Sequence, residues 1–142
     1  MLIGYDTTLD YEKMTKVCDL VRAGLPYVAT HPDFNCPTET GFAPDIGAII
    51  AFIEASAGRR PDVILGKPYA GIVEEALALT GLEKHELAMV GDRLYTDIAT
   101  GLNFGILSIL VLTGEAGEAD IAATGIRPDL IFERLSAMNL YL

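Results

Sequence analysis

A buried strand that ends in two carboxylates is the feature that most constrains the fold of this chain. The apolar run Leu87–Val90 predicts the strand, and the loop that leaves it, Gly91–Asp97, carries Asp92 and Asp97. Functional groups of α/β proteins gather at the carboxyl ends of parallel strands. We therefore expect a site on this loop. A plainer alternative is that the two acids favour the N-terminus of the helix that follows.

Lys67 leaves a second predicted strand in the same way. The apolar run Val63–Leu65 is followed by Gly66, Lys67 and Pro68. One lysine and two carboxylates at strand ends suit a site for Mg²⁺ and phosphate, because the metal and the lysine together balance the phosphate charge. No Asp-x-Asp pair follows a strand anywhere in the sequence, so the expected site has one cation and two separate acids.

Strands and helices alternate along most of the chain. Predicted strands cover residues 2–5, 27–30, 62–65, 87–90, 106–112 and 130–132. Predicted helices cover about 11–23, 45–57, 69–80 and 96–103, and a short helix accompanies the last strand. This alternation predicts an α/β fold with a parallel sheet. Segment 31–44 interrupts it, since three prolines and a glycine there predict an irregular loop.

Composition and charge exclude several classes of protein. The formal net charge is −10, whereas nucleic acids and anionic membranes are bound by clustered Lys and Arg. No apolar run approaches the roughly 20 residues of a membrane span. No basic region precedes an apolar one near the N-terminus, so we expect a cytoplasmic protein with no nucleic-acid or membrane partner. Cys18 and Cys36 are expected to be free thiols.

The residues at these strand ends resemble a known family. Gly66–Pro68, Gly91–Asp92 and Thr96–Ile98 are similar to the third and fourth motifs of haloacid-dehalogenase-like (HAD-like) phosphatases. The NagD-like, or p-nitrophenyl phosphatase, branch of that family has a cap domain before the lysine motif, and Ala29–Gly41 resembles the loop of that cap. The opening segment Gly4–Lys13 looks like the cap's first strand and helix, so the resemblance covers essentially the whole chain.

The resemblance implies that the chain has two parts. Residues 1–60 would form an α/β cap portion that sets substrate specificity, and residues 61–142 would form the C-terminal half of a Rossmann-like HAD core. A small shift in composition at Gly58–Pro61 agrees with this boundary.

The resemblance also implies Mg²⁺-dependent hydrolysis of a small phosphorylated metabolite in two steps. In the family an aspartate attacks phosphorus to form an aspartyl-phosphate, which water then hydrolyses. Carried over by motif, Lys67 would bind the phosphate and take part in catalysis, and Asp92 would ligate Mg²⁺. Asp97 would be a second catalytic acid that binds the metal or orients its water shell.

The cap loop adds a second set of candidate residues. Because the family's cap lowers this loop over the active site, Asp33, Asn35 and Glu39, together with His31, would contact the substrate. Each of them is also explained by ordinary loop chemistry, such as Asx-turns and solvated charge.

The family's nucleophile has no counterpart in this sequence. Asp6 and Asp10 lie four residues apart, whereas the attacking and proton-transferring aspartates of the family lie two apart. We therefore expect a C-terminal part of a phosphatase, truncated and inactive by itself, because a covalent mechanism needs its nucleophile.

Two alternatives to a catalytic role remain open. The chain could bind Mg²⁺ and phosphate without turnover, or it could be a fragment that self-associates. In the family the nucleophile strand lies beside the strand that ends at Asp92. Its absence would leave a sheet edge through which a homo-oligomer could form.

Overall fold

The computed structural model describes residues 1–141 of the chain, which divides into two compact units, Met1–Gly66 and Lys67–Leu142. The sequence predicted a boundary after residue 60. In the structure Val63–Ile64 belongs to the first unit, because it pairs with Val28–Ala29. Each unit has its own parallel sheet, which confirms the predicted α/β class.

The first unit contains five strands: β1 (Leu2–Ile3), β2 (Val28–Ala29), β3 (Asn35–Thr38), β4 (Gly41–Pro44) and β5 (Val63–Ile64). Strands β1, β2 and β5 form a parallel sheet in that order, with Leu2 opposite Val28 and Val28 opposite Val63. Each of these strands is only two residues long, so helix packing has to supply much of the core.

Both helices of the first unit begin at an aspartate. Asp10 starts α1 (Tyr11–Arg22) by accepting the Lys13 N–H at 2.8 Å, and Asp45 starts α2 (Ile46–Ala57) by accepting the Ile46 N–H at 2.7 Å. Such caps satisfy donors that have no partner inside the helix. The apolar faces of the helices meet the sheet in a core formed by Cys18, Val21, Tyr27, Ala29, Ile46, Ile50 and Ile53.

Segment 31–44 is not the irregular loop that its prolines predicted. Strands β3 and β4 form an antiparallel hairpin, with Asn35 opposite Pro44 and Pro37 opposite Phe42. The prediction was wrong because proline is excluded from central strands but is tolerated at a sheet edge. Both strands of an isolated hairpin are edges.

The second unit contains three strands: β6 (Ala88–Gly91), β7 (Leu107–Val111) and β8 (Leu130–Phe132). They form a parallel sheet in the order β6-β7-β8, which leaves β6 at an edge. The helices are α3 (Gly71–Thr80), α4 (Ala99–Phe104) and α5 (Glu118–Thr124), with 3₁₀ turns at Lys84–Glu86 and Leu135–Leu140. Leu94, Ile98, Leu110 and Ala116 form the buried core of this unit.

The helix predicted over 96–103 begins earlier and differently from the prediction. Leu94–Ile98 adopts a π-helical turn, which then continues as α4. Leu94 and Ile98 are both buried, so this turn packs against the core of the second unit. Within residues 1–141 we find no helix with the length and apolar character that crossing a membrane requires.

Candidate active site

Asp92 stands at the carboxyl end of β6 and is held by the segment that follows β7. Its carboxylate oxygen Oδ2 accepts the Glu115 N–H at 2.8 Å. Its main-chain carbonyl accepts the Ala116 N–H at 3.0 Å. The loops that leave two neighbouring parallel strands are therefore joined at this one residue.

Asp97 is buried by the π-helical turn. The residue is 3% exposed, and its oxygen Oδ2 accepts the Arg93 N–H at 3.1 Å. Its other oxygen, Oδ1, accepts a hydrogen bond from the Lys67 ammonium. A buried carboxylate is stable when it is paired and hydrogen-bonded, and Asp97 meets both conditions. Single π-helical turns are found frequently at functional sites.

Lys67 keeps part of its side chain accessible while it pairs with Asp97. The side chain of Lys67 is 37% exposed, compared with 5% for Asp97. An ammonium group has three N–H donors, and Asp97 accepts from one of them. The pair therefore fixes a cation at the edge of the site that can still meet an anion from solvent.

Two glycines leave room for the two carboxylates. A Cβ atom added to Gly91 would lie 2.2 Å from Oδ2 of Asp97, and one added to Gly114 would lie 1.9 Å from Oδ2 of Asp92. Neither glycine is among those with positive φ, so other residues could adopt its backbone conformation. We conclude that both positions need glycine for space.

The donor set of this site fits Mg²⁺. Magnesium prefers oxygen ligands and is usually held by one or two carboxylates together with water and phosphate oxygens. Asp92 supplies such a carboxylate, and a glycine keeps the space beside it clear. Among the described residues no three His, Cys, Asp or Glu side chains cluster as a complete metal cage. A bound Mg²⁺ would therefore complete its shell with water and phosphate.

The predicted residues of the second unit come together at one end of its sheet. Lys67 and Asp97 are in direct contact, and Asp92 lies in the short loop between β6 and the π-helical turn that carries Asp97. The sequence reasoning missed Gly114 and Glu115, which contact Asp92 from the end of β7. The signal was present, because Gly114 and Glu115 follow the apolar run 106–112 just as Asp92 follows the apolar run Leu87–Val90.

The other candidates, Asp33, Asn35 and Glu39, belong to the first unit and lie along the hairpin segment. The main-chain carbonyl of Asp33 accepts the Gly47 N–H at 2.7 Å, which attaches the start of the hairpin to α2. Asn35 opens β3, and Glu39 lies in the exposed turn between β3 and β4. Contact of these three side chains with a substrate stays a prediction.

His31 has a structural explanation within the first unit. Its Nδ1 lies 2.8 Å from Oγ1 of Thr30, and its Nε2 lies 2.9 Å from Oδ1 of Asp45. The same Asp45 oxygen accepts the Ile46 N–H at the start of α2. His31 thus connects the end of β2 to the first turn of that helix.

Comparison with known proteins identifies the family. The model of the HAD-hydrolase-like family matches residues 64–138, which include Lys67, Asp92 and Asp97. The chain belongs to the HAD-hydrolase-like family. An acid sugar phosphatase from Staphylococcus epidermidis is 41% identical over 136 residues, which are 96% of this chain and 52% of that protein. The chain therefore spans about half the length of the curated HAD-like relatives that it matches.

Solved structures of HAD-like phosphatases share this fold. The 4-nitrophenylphosphatase from Thermotoga maritima is 51% identical with a TM-score of 0.88, and the match covers 94% of this chain and 51% of that one. NagD from Escherichia coli K-12 is 34% identical with a TM-score of 0.78, over 94% of this chain and 52% of that one. A glycerol phosphate phosphatase from Mycobacterium tuberculosis, solved in complex with magnesium, is 31% identical with a TM-score of 0.85, over 96% and 41% of the two chains. The recognised NagD-like resemblance is confirmed.

Proposed function

We propose that these 142 residues supply the phosphate- and metal-binding half of the active site of a Mg²⁺-dependent phosphatase. Its substrate would be a small phosphorylated metabolite. The observation that carries the proposal is the Lys67–Asp97 ion pair beside Asp92, at the end of β6. The HAD-like relatives, which are named as acid sugar phosphatases and p-nitrophenyl phosphatases, support the same class of reaction.

Each residue has a role that follows from its contacts. Asp97 holds Lys67 in place, so that its remaining N–H donors can bind phosphate oxygens. Asp92 is tied through Oδ2, so that Oδ1 would be the metal ligand. When bound, Mg²⁺ would supply further positive charge against the phosphate oxygens. Asp97 would also orient a water molecule of the metal's shell.

The proposed reaction passes through an aspartyl-phosphate. A carboxylate attacks phosphorus, the bond from phosphorus to the alcohol oxygen breaks, and water then releases inorganic phosphate. We propose that the attacking aspartate comes from outside these 142 residues. A longer protein that includes it would be similar in length to the relatives, of which this chain spans about half.

The acids near the N-terminus are already engaged in local structure, which supports this proposal. Asp6 accepts hydrogen bonds from the Lys13 ammonium at 2.8 Å and from the Thr8 N–H at 2.7 Å. The hydrogen bond from Lys13 is the main reason why the pKa of Asp6 falls to about 2. Asp10 caps α1. Neither acid stands in an Asp-x-Asp pair.

The test is hydrolysis of p-nitrophenyl phosphate in the presence of Mg²⁺. We expect the chain alone to turn over far more slowly than about 1 s⁻¹, a low value for an enzyme, because charge stabilisation without a nucleophile cannot form the covalent intermediate. Adding a nucleophile-bearing N-terminal segment should produce activity that saturates with that segment. Lys67→Met should abolish this activity, whereas Lys84→Met, a change on the 3₁₀ turn before β6, should leave it intact.

Two results would contradict the proposal. Turnover of about 1 s⁻¹ or faster by the chain alone would place the nucleophile within the 142 residues. Activity of the complemented protein that survives Lys67→Met would show that this lysine does not bind the phosphate. A chain that binds Mg²⁺ and phosphate without turnover is the second candidate, and the lack of an Asp-x-Asp pair in the 142 residues favours it.

A further inference from the structure

The loop after β7 makes several close contacts with Asp92. Within this β7 loop (Thr113–Ala116), the Glu115 N–H donates to the carboxylate of Asp92 and the Ala116 N–H donates to its main-chain carbonyl. Gly114 packs so close to the same carboxylate that an added Cβ would lie 1.9 Å from Oδ2 and 2.3 Å from Cγ. Three consecutive residues of the loop thus contact Asp92, two of them at its carboxylate and one at its main-chain carbonyl.

The conformation of Gly114 does not itself demand glycine. The glycines with positive φ in this chain are Gly24, Gly41, Gly58, Gly81, Gly105 and Gly125. Gly114 has a backbone conformation that an alanine could adopt. Its missing side chain therefore matters only for the space that the carboxylate of Asp92 occupies.

A side-chain ion pair fastens the β7 loop to the β6 loop. Arg93, the residue after Asp92, donates through Nε to Oε2 of Glu115 at 2.8 Å. The Arg93 side chain is mostly buried, at 12% exposure, whereas that of Glu115 is 31% exposed and lies at the surface. Glu115 therefore contacts the loop after β6 twice. Its main-chain N–H binds Asp92, and its side chain pairs with Arg93.

We propose that Gly114 and Glu115 are positioning residues that hold the carboxylate of Asp92 in the orientation needed to ligate Mg²⁺. This inference rests on the proposed function, in which the carboxylate of Asp92 is a ligand of Mg²⁺. The Glu115 N–H binds Oδ2 and leaves Oδ1 available to the metal. Gly114 has no side chain, so the carboxylate can occupy the space beside it. Groups that orient a metal ligand typically change metal affinity by about 10- to 100-fold when they are altered.

The first measurement is amide hydrogen exchange, followed by NMR on the metal-free chain. We expect the Glu115 and Ala116 N–H groups to be protected in the wild type. Asp92→Ala removes the carboxylate and keeps the main-chain carbonyl, so it should expose the Glu115 N–H and spare that of Ala116. Gly114→Ala should likewise expose the Glu115 N–H, because the new methyl group displaces the carboxylate.

The second measurement is a Mg²⁺ titration on the same samples. Gly114→Ala should raise the Mg²⁺ concentration at half-saturation by about 10- to 100-fold. Gly117→Ala is the matched control, because an added Cβ at Gly117 would meet its nearest atom at 3.8 Å. This control should keep both the amide protection and the midpoint of the wild type. Circular dichroism on each variant checks that it is folded.

The outcomes separate this inference from the proposed function. Unchanged Glu115 protection and an unchanged Mg²⁺ midpoint in Gly114→Ala would overturn the positioning role. If Gly114→Ala does not fold, protection of the Glu115 N–H that persists in Asp92→Ala would overturn it equally. A wild-type chain with protected amides and no response to Mg²⁺ would instead overturn the metal site of the proposed function.

Discussion

At the scale of single residues, Tyr27 has a buried hydroxyl group that makes no hydrogen bond among the described residues. The residue is 0% exposed. Burial raises the pKa of Tyr27 to about 12. An unsatisfied buried donor costs free energy that a same-shaped apolar group would not cost.

We expect Tyr27→Phe to be as stable as the wild type at pH 7, or more stable by about 1 kcal/mol. Because burial disfavours the phenolate in the folded state, ionisation of Tyr27 leaves the free energy of unfolding unchanged below its ordinary pKa of 10 and lowers it above that value. The wild type therefore loses stability as the pH rises from 10 towards 12, because the unfolded state releases the proton first. Urea unfolding between pH 8 and 11, measured on both proteins, should show a steeper alkaline loss for the wild type. Equal slopes would contradict this account.

The sequence predicted the charged residues of the site but not the groups that hold them. Lys67, Asp92 and Asp97 were found because each follows an apolar run, and such runs can be read directly from the sequence. The structure adds that both oxygens of Asp97 accept hydrogen bonds, one from Lys67 and one from the Arg93 N–H. The Lys67–Asp97 pair joins residues that lie 30 positions apart in the sequence, and no local sequence pattern predicts such a contact.

At the scale of elements, β6 is the strand whose surroundings matter most. Its known neighbour within the second unit is β7, and Val90 is 36% exposed. A parallel strand with an open edge presents unpaired N–H and C=O groups that can bind another strand. We propose that a second copy of the chain pairs with this edge when no other strand occupies it.

Analytical ultracentrifugation at micromolar concentration tests this pairing. We expect a dimer for the wild type and a monomer for Val90→Lys, because charged side chains on edge strands oppose pairing. Leu130→Lys is the matched control on β8, at the opposite edge of the sheet, and should still dimerise. A monodisperse wild-type monomer, or a dimer that Val90→Lys leaves intact, would count against the β6 edge.

Element prediction succeeded where apolar periodicity was strong and failed where turn chemistry dominated. Helices α1 and α2 were predicted to within about two residues, since an aspartate marks each start. The hairpin β3–β4 was missed, because its prolines argue against a strand unless the strand is known to be an edge. That knowledge comes from tertiary structure.

At the scale of the whole molecule, the chain combines two α/β units, and Lys67, Asp92 and Asp97 all lie in the second one. The family model covers residues 64–138, and the charged residues of the site fall within that range. The first unit contributes Asp33, just before the β3–β4 hairpin, and Asn35 and Glu39 within it, and we propose from the family resemblance that these residues take part in substrate selection. Under this proposal, selection and chemistry would reside in different units of the chain.

Calorimetric titration of Mg²⁺, with and without inorganic phosphate, tests the central claim most directly. It compares the wild-type chain with Asp92→Ala and with the control Asp120→Ala, whose carboxylate accepts the Gly117 N–H at the start of α5. We predict that the wild type and the control bind Mg²⁺, more tightly with phosphate because Lys67 and the metal share its charge, and that Asp92→Ala does not bind. Absence of binding in the wild type, or binding that survives Asp92→Ala, would contradict the account.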